Sequence, residues 1–277
     1  MIRGFYTGTT GAIEHQKLMA VAANNMANAN TDGYKSSNLS FQELIYQRVR
    51  MPNDYESRSE TYDRWVRRNQ HGVEVDYYSE NKLRVGAGAR ATESALVMTQ
   101  GSYRHTGNIL DVMIKGEAFF AVENKNGDIA YTRQGSFAIS EEDGDQYLVT
   151  AGGEYILDEN YDRIIMPENI DKIRFIKFSE SDGNDEYAIK LGLFTCDNIY
   201  GLARIGENKY ITTELSGEME LEIRGGVDIV PRSLEMSNVN IADEMVKVIQ
   251  AQRAFQSNLT VIRTADEIEA YVNQLRS

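Results

Sequence analysis

The side chains that most often carry enzyme chemistry are scattered along this sequence. The three histidines, His15, His71 and His105, show no spacing typical of metal ligands. Cys196 is the only cysteine, so it gives no sign of a disulfide or of a thiolate metal site, and we expect it to be a small buried strand residue. The sequence therefore predicts no catalytic residue, no metal and no cofactor.

Two glycine-containing segments resemble ligand-binding loops but lack the context that such loops need. The segment GAGAR at 86–90 does not join a parallel strand to a helix, so it predicts a turn at a strand edge rather than a phosphate site. The segment ESDGNDE at 180–186 lacks the order of acidic residues found in a calcium loop and predicts a solvated turn. With 42 acidic residues in the chain, a pair of carboxylates forming a glycosidase site stays open as an alternative.

The run AANNMANANTDGYK at 22–35 places four asparagines within seven positions, at the end of a segment with helical spacing. Asparagine is a mediocre helix former, but at a helix end its amide can bond backbone groups that lack partners. The neighbouring alanines would let helices approach closely. We predict that Asn24, Asn25 and Asn28 form helix-end and inter-helix hydrogen bonds, and that the chain from Asn30 onward stops the helix and turns. A solvated polar face is the alternative interpretation.

Both ends of the chain show helical spacing. Near the N-terminus, Phe5, Ala12, Met19 and Met26 recur every seven residues, which predicts a helix with a stripe of small and apolar residues. Near the C-terminus, gaps of four and three residues predict an amphipathic helix of about 35 residues, roughly 50 Å long. The stripe of this second helix consists of Ile241, Met245, Val248, Gln252, Phe255, Leu259, Ile262, Ala265, Ile268, Val272 and Leu275.

The segment before the C-terminal helix carries three candidate capping residues, Ser237, Asn238 and Asn240. Asp243 and Glu244 follow them and suit the positive end of a helix dipole. Amphipathic terminal helices often pack on their own domain, but a helix of this length projects beyond a small domain. The second possibility is that the two terminal helices pair with each other and with helices of neighbouring subunits, as in a coiled-coil layer.

The middle of the chain has the period of two that is typical of strands. The strand Ala118–Val122, a turn at Asn126-Gly127 and the strand Ile129–Thr132 predict a hairpin. Further turn sequences at intervals of roughly ten residues predict an all-β domain of short strands. The preceding segment, 36–81, predicts an extended linker or arm, with a disordered insertion as the alternative and 39–49 as a candidate short helix.

Together these patterns predict an α+β protein, with terminal helices in a coiled-coil-like layer and a central all-β domain. The predicted organisation is an N-terminal helix with its signature at 1–35, a linker or arm at 36–81, a β domain at 82–234 and a C-terminal helix at 235–277.

The composition is that of an ordinary soluble protein, with 42% hydrophobic and 26% charged residues. The net charge of −13 argues against nucleic acid as a partner and against a basic contact with a membrane surface. No stretch approaches the ~20 apolar residues of a spanning helix. The N-terminal apolar run LMAVAA is interrupted at once by NNM, so it does not predict a Sec-type signal. We therefore expect no membrane insertion, and any export to occur without cleavage of such a signal.

Three motifs carry a resemblance to a known family. NNMANANTDGYK resembles the N-terminal signature of the flagellar rod and hook proteins, and SNVNIADEMVKVIQAQRAFQSN resembles their C-terminal signature. Between them, LDVMIKGEAFFAVENKNGDIAYTRQGSF is similar to the middle domain of the rod proteins. LSFQELIYQRVRMP and VGAGAR are more similar to distal than to proximal rod proteins, whereas the match thins at 53–81 and 216–233.

The resemblance implies a structural axial subunit of the bacterial flagellar basal-body rod. It implies a helical homopolymer with the terminal helices inside, a tube that carries the export channel and transmits motor torque to the hook. The implied partners are further copies of the chain, neighbouring rod and hook proteins, and the flagellar type III export apparatus. The residues that we assign to assembly are Asn24, Asn25, Met26, Asn28, Thr31, Gly33, Tyr34, Asn238, Val239, Ile241, Met245, Val248, Gln252, Arg253, Phe255, Leu259 and Ile262.

Two other classes of function stay open, a secreted binding module or adhesin joined through its terminal helices and a carbohydrate-active enzyme. A rod subunit forms helical polymers, whereas an adhesin stops at a closed oligomer whose symmetry satisfies every interface. In an isolated rod subunit we expect fast hydrogen exchange over 1–35 and slow exchange within 110–160, because a lone helix rich in small residues is marginal in water. We also expect Phe255 to pack only against other helices of the tube.

Overall fold

The computed structural model describes residues 3–44, 47–48, 67–68, 74–75, 84–86, 88–92, 95–124, 127–142, 144–167, 173–177, 187–222 and 226–275. Helix α1 (Arg3–Ala27) and helix α2 (Ile241–Gln274) flank a region of strands. The predicted fold class, α+β with terminal helices that pack together and a central β region, is confirmed. The segment 180–186, predicted to be a solvated turn, lies outside the described residues.

The strands are short, as predicted. The first twelve are β1 (Ser37–Asn38), β2 (Phe41–Glu43), β3 (Gln47–Arg48), β4 (Arg67–Arg68), β5 (Glu74–Val75), β6 (Arg84–Val85), β7 (Ala89–Ala91), β8 (Ala95–Leu96), β9 (Tyr103–His105), β10 (Val112–Lys115), β11 (Phe119–Glu123) and β12 (Ile129–Thr132). The others are β13 (Phe137–Glu142), β14 (Asp145–Thr150), β15 (Tyr155–Ile156), β16 (Arg174–Lys177), β17 (Ala188–Leu191), β18 (Leu193–Thr195), β19 (Ala203–Gly206), β20 (Lys209–Ile211), β21 (Glu220–Leu221), β22 (Asp228–Pro231) and β23 (Ser233–Glu235).

The chain divides into two compact units. The first unit comprises Met1–Lys17, Phe41–Thr92 and Gln252–Ser277, and the second comprises Leu18–Ser40 and Glu93–Ala251. Each helix therefore contributes one part to each unit.

In the first unit, strands from the first half of the segment 41–91 pair with strands from its second half, and the pairs together form an antiparallel ribbon. β2 pairs with β7, β3 with β6, and β4 with β5, so the pairs are nested. The candidate short helix at 39–49 is wrong, since its described residues include the strands β2 and β3. Phe41 lies opposite Ala91, and this distant partner overrides the weak helical preference of the sequence.

The base of the ribbon contacts the first half of α1. Glu14 Oε2 accepts a hydrogen bond from the Ala91 backbone N–H at 3.0 Å, and the Phe41 ring lies 5.4 Å from the His15 ring. Gly86 and Gly88 of the GAGAR segment lie between β6 and β7, which pair one after the other with β3 and β2, so these described residues do not reverse the chain as the predicted turn would. Gly88 has φ +106°. A side chain at Gly88 would also collide with Thr10, so this position needs glycine for two reasons.

The second unit contains the main antiparallel sheet, which has the order β13-β14-β15-β11-β12-β20-β19 and continues from β11 to β18 and β21. β11 is central and buried on both faces, because Phe120 and Val122 enter one hydrophobic core while Phe119 and Ala121 enter a second. This explains why its sequence is a continuous apolar run instead of an alternating one. The predicted hairpin is confirmed as β11–β12, with Phe120 opposite Thr132.

Candidate functional site at the terminal signatures

Helix α1 ends within the asparagine-rich run, and the asparagines have different environments. Asn28 and Asn24 lie near the surface and bond each other, with Asn28 Nδ2 donating to Asn24 Oδ1 at 2.9 Å. Thr31 Oγ1 donates to Asn28 Oδ1 at 3.2 Å. The helix stop and turn predicted here are confirmed, but the left-handed residue is Gly33 (φ +71°) and none of the asparagines. A Cβ atom at Gly33 would lie 2.9 Å from the Arg133 backbone, so this position also needs glycine because the two backbones approach closely.

Asn25 is buried, with 1% of its surface exposed, and it holds the chain that follows the turn. Its Nδ2 donates to the Ser37 carbonyl at 2.8 Å, and its Oδ1 accepts from the Ser37 N–H at 3.0 Å. The Tyr34 hydroxyl donates to the same Oδ1 at 3.2 Å. The Asn25 amide thus acts on Ser37 as a neighbouring strand would, with one donor and one acceptor.

Asn238, from the C-terminal signature, binds Ser36, the residue before Ser37. Its Oδ1 accepts from the Ser36 N–H at 2.7 Å, and its Nδ2 donates to the Val97 carbonyl at 2.7 Å. Its own backbone N–H donates to the Tyr34 carbonyl at 3.4 Å. Two asparagines from opposite ends of the sequence therefore hold adjacent residues of one strand segment.

A buried ionic cluster lies between the same segments. Glu235 accepts from Lys35 Nζ at 2.6 Å and from Arg133 Nη1 at 3.2 Å, and all three side chains are at most 3% exposed. Glu235 Oε1 also accepts from the Gly101 N–H at 2.9 Å, and Lys35 donates to the Thr99 carbonyl at 2.9 Å. We refer to Asn25, Gly33, Tyr34, Lys35, Arg133, Glu235 and Asn238 as the terminal junction.

The terminal junction buries two positive charges against one negative charge. Burial lowers the pKa of Lys35, the charge of Arg133 lowers it further, and the Glu235 carboxylate opposes both effects. The Lys35 carbonyl also accepts a hydrogen bond from Arg204, whose guanidinium lies 4.8 Å from the centre of the Tyr34 ring. Buried charges are tolerated only where partners satisfy them, so Glu235 is the residue on which this arrangement depends.

Helix α2 begins immediately after the junction. Of the three candidate capping residues, Asn240 caps the helix, because its Oδ1 accepts from the Ala242 N–H at 3.1 Å. Ser237 Oγ accepts from the Val239 N–H at 3.3 Å, while Asn238 is used in the junction.

The two helices meet closely in the first unit. A side chain at Gly11 would lie 2.9 Å from Asn258 Nδ2, and one at Gly8 would lie 3.1 Å from Ile262 Cγ1. Gly8 faces Ile262 while Gly11 faces Asn258, so the two helices run antiparallel here. Phe255 is half-buried and lies on the same face of α2 as Asn258, one turn earlier. This face of α2 already contacts α1 within the chain, whereas we expected Phe255 to pack only against other helices of the tube.

The structure brings together only part of the predicted assembly residues. Asn25, Gly33, Tyr34 and Asn238 meet in the terminal junction. The remaining predicted residues lie on the turn, just before α2 or along the two helices: Asn24, Met26, Asn28, Thr31, Val239, Ile241, Met245, Val248, Gln252, Arg253, Phe255, Leu259 and Ile262.

Sequence patterns missed Lys35, Arg133, Glu235 and Asn258. The one signal for Glu235 is a carboxylate inside the apolar strand sequence SLEM, where a charge needs a buried partner. Lys35, Arg133 and Asn258 lie inside the motifs that carry the family resemblance, but nothing in their local sequence marks them as parts of these contacts.

The described residues contain no group of three or more histidine, cysteine, aspartate or glutamate side chains arranged to hold a metal ion. Neither helix, over its described length, is apolar enough to cross a bilayer.

Three sequence families match the chain. Residues 5–35 match the family described as flagella basal body rod protein. Residues 113–187 match the D1 domain of the flagellar hook protein FlgE/F/G, and residues 230–275 match the C-terminal family of the flagellar basal body rod proteins FlgEFG. The outer two families contain most of the terminal junction.

Relatives match over nearly their whole length. The flagellar basal-body rod protein FlgG of Buchnera aphidicola subsp. Baizongia pistaciae is 35% identical over 97% of this chain and 97% of its own. The chain belongs to the flagellar basal-body rod protein family. Its FlgG relatives include those of Borreliella burgdorferi, 32% identical over 100% of this chain and 99% of its own, and Bacillus subtilis, 29% identical over 97% of each chain.

Family membership confirms the structural role in the flagellar basal body that the motifs implied. The protein is a structural axial component of the bacterial flagellar basal body, and its similarity to FlgG agrees with the resemblance to distal rod proteins. Membership also implies assembly into the rod with neighbouring flagellar proteins.

Proposed function

We propose that this chain polymerises with copies of itself into a helical tube, through a second apolar stripe on each terminal helix. In this proposal the tube carries the export channel and transmits motor torque to the hook. Its partners are further copies, adjoining rod and hook proteins and the export apparatus, and it has no catalytic activity of its own. The observation that carries the proposal is the exposed apolar surface that remains after α1 and α2 pack together.

One face of α2 is used within the chain. The residues at its contact with α1, Asn258 and Ile262, belong to a series with gaps of four and three. Every member of this series is buried or half-buried: Glu244, Val248, Ala251, Phe255, Asn258, Ile262 and Ala265.

A neighbouring face of α2 is apolar but exposed. In the first half of the helix, Ile241 is 44% exposed, Met245 53% and Ile249 49%. They are spaced by four residues and therefore form a row. The last turns add a second exposed row, formed by Val261, Ile268, Val272 and Leu275. Contiguous exposed apolar residues on a soluble protein mark an interaction surface.

Helix α1 has a matching feature. Ala12 and Ala22 belong to its buried face, whereas Tyr6, Ile13, Ala20 and Ala27 recur every seven residues and are all exposed. The stripe on α1 combines two large side chains with two alanines, whereas the stripe on α2 consists of large side chains only. Because the two stripes differ, their contact between copies is heterologous, and a heterologous contact that does not close propagates into a helical polymer.

Ile249→Glu tests this proposal, and the neighbouring Gln250→Glu is its control. Both residues are exposed, so neither change should alter the melting of the monomer. We expect concentrated wild-type protein and Gln250→Glu to form straight tubes or short rods in negative-stain micrographs. Ile249→Glu should stay monomeric in sedimentation, because assembly would bury its charge, and cells carrying it should lose motility.

The adhesin alternative makes a different prediction for the same samples. If wild-type protein stops at a trimer or another closed oligomer at every concentration, the polymer proposal is wrong. It also fails if Ile249→Glu and Gln250→Glu assemble equally well.

A further inference from the structure

The second unit contains a cleft that shares no residue with the terminal junction or the helices. Its volume is about 550 Å³, and it opens between the β11–β12 hairpin and the turn at 158–162. Three aromatic or aliphatic side chains at its rim are exposed to solvent, Ile129 by 41%, Tyr161 by 37% and Ile165 by 59%. Structural packing alone does not require large apolar side chains in such positions.

Tyr161 has a backbone conformation that bulky residues rarely adopt, with φ +64°. The turn that imposes it is rigid, because Asp158 Oδ1 accepts hydrogen bonds from the N–H groups of Asn160 at 2.8 Å and Asp162 at 2.9 Å. Glycine or asparagine would fit this position with less strain. Strained residues of this kind are concentrated at functional sites, so the presence of a tyrosine calls for a use of its ring.

The ring of Tyr161 is fixed as a platform. It stacks on Phe194 with 4.8 Å between centroids and 29° between planes, and its hydroxyl lies 3.4 Å from the hydroxyl of Tyr131. Since one face covers Phe194, the opposite face is the one left for a ligand. A fixed ring loses little conformational entropy on binding.

The polar groups beside this ring are one arginine, which is paired, and a larger number of carboxylates. Arg163 donates to both carboxylate oxygens of Glu123, at 2.7 and 3.2 Å, and its guanidinium lies 4.1 Å from the centre of the Tyr155 ring. The adjacent Asp162 adds an exposed carboxylate. The cleft therefore offers several acceptors and a planar donor, but no excess positive charge.

We propose that this cleft binds a neutral glycan chain. The face of a sugar ring that carries C–H groups fits the open face of Tyr161, and its hydroxyls fit the Arg163–Glu123 pair and Asp162. An anionic ligand is disfavoured, because the arginine is already neutralised and the nearby carboxylates would repel it. A wholly apolar ligand is disfavoured by the same polar rim.

Saturation-transfer difference NMR on the full chain tests the proposal, with chitotetraose and cellotetraose as neutral probes. The method works on monomer and polymer, so its outcome does not depend on whether the chain polymerises. We expect binding of at least one probe with a dissociation constant of roughly millimolar order.

Tyr161→Asn should weaken this binding by about tenfold or more, because it removes the platform. Asparagine tolerates the left-handed backbone, so the turn is kept, and circular dichroism would check the fold. Tyr200→Asn is the matched control, since Tyr200 is 68% exposed and lies outside the cleft; it should bind as the wild type does.

Three results would overturn the proposal. The first is no binding of either probe at several times the expected dissociation constant. The second is equal loss in Tyr161→Asn and Tyr200→Asn, which indicates adventitious contacts with surface tyrosines. The third is absence of glycan binding together with a motility defect of Tyr161→Asn, which would assign the cleft to a protein partner.

Discussion

At the scale of single residues, the terminal junction links the two ends of the sequence through a few buried polar groups. Lys35 and Glu235 are 200 positions apart, yet they form a direct ion pair in which both side chains are 1% exposed. Asn25 and Asn238 satisfy the backbone of the adjacent residues Ser36 and Ser37. Buried polar groups of this kind specify one arrangement, because any other arrangement leaves donors and charges without partners.

Glu235→Gln should be far more damaging than Lys35→Met. The first change leaves Lys35 and Arg133 buried without an anion, and removal of one partner from a buried ion pair typically costs about 3–5 kcal/mol of unfolding free energy. The second change keeps the Arg133–Glu235 pair and replaces a buried ammonium with an apolar chain of similar length. Urea unfolding of the full chain would measure both effects.

The order of the two variants is the decisive result. If Lys35→Met destabilises the chain as much as Glu235→Gln does, charge balance is not what stabilises the junction, and the shape of the lysine chain must matter instead.

At the scale of elements, the sequence predicted what depends on local pattern. The α2 stripe predicted a helix from Ile241 onward, and the helix runs from Ile241 to Gln274. The apolar run at Phe119–Val122 and the glycine turn predicted the central hairpin, because both signals lie within fifteen residues of each other. In contrast, the local pattern left 39–49 as a candidate short helix within a predicted extended arm. It could not identify β2 (Phe41–Glu43) as a strand, because the partner strand β7 is almost fifty residues away.

The residues of the terminal junction likewise fall into those that the sequence alone selects and those that it does not. Asn25, Gly33 and Asn238 stand in motifs of unusual composition, so the sequence alone is enough to select them. Arg133 lies inside the middle-domain motif but is not marked by its composition, because it becomes a junction residue only when the chain after β12 brings it to Glu235. The inter-helix bonds predicted for Asn25 in an assembly stay a prediction, whereas within the chain its amide bonds the backbone of Ser37.

The antiparallel contact between α1 and α2 depends on Gly11 and Asn258. Gly11→Ala alone should gain little of the roughly 0.5–1 kcal/mol of helix propensity that alanine offers, because its methyl group would press on the Asn258 amide. The double variant Gly11→Ala with Asn258→Ala should recover that gain. Thermal unfolding of both single variants and the double variant gives the coupling, which we expect to be about 0.5–3 kcal/mol. Purely additive effects would mean that the two residues do not touch in solution.

At the scale of the whole molecule, the two compact units differ in how much apolar surface they bury. The second unit contains both hydrophobic cores. In the first unit, the buried apolar side chains among the described residues are only those of Ala12 and Ala265. A unit with so little buried apolar surface is held weakly by its own contacts, which agrees with the proposal that it gains packing from neighbouring copies.

In the dilute monomer, the boundary between slow and fast hydrogen exchange should therefore fall inside each helix, not at the helix ends. Residues 3–17 of α1 and 252–274 of α2 lie in the first unit and should exchange fast. Residues 18–27 and 241–251 should exchange slowly, because Ala22, Asn25 and Ala251 are buried at 1% exposure each. This narrows the expectation of fast exchange over the whole of 1–35, since the terminal junction protects the second half of that segment.

Mass spectrometry of deuterium uptake would locate the change, first in dilute protein and then at a concentration where tubes form. On assembly, the fast segments should become protected while the slow segments change little. The variant Ile249→Glu should keep the monomer pattern at both concentrations, which separates assembly from crowding. Fast exchange over 18–35 in the monomer would show that the junction does not hold the signatures. Slow exchange along both entire helices would show instead that the first unit is already stable without a neighbour.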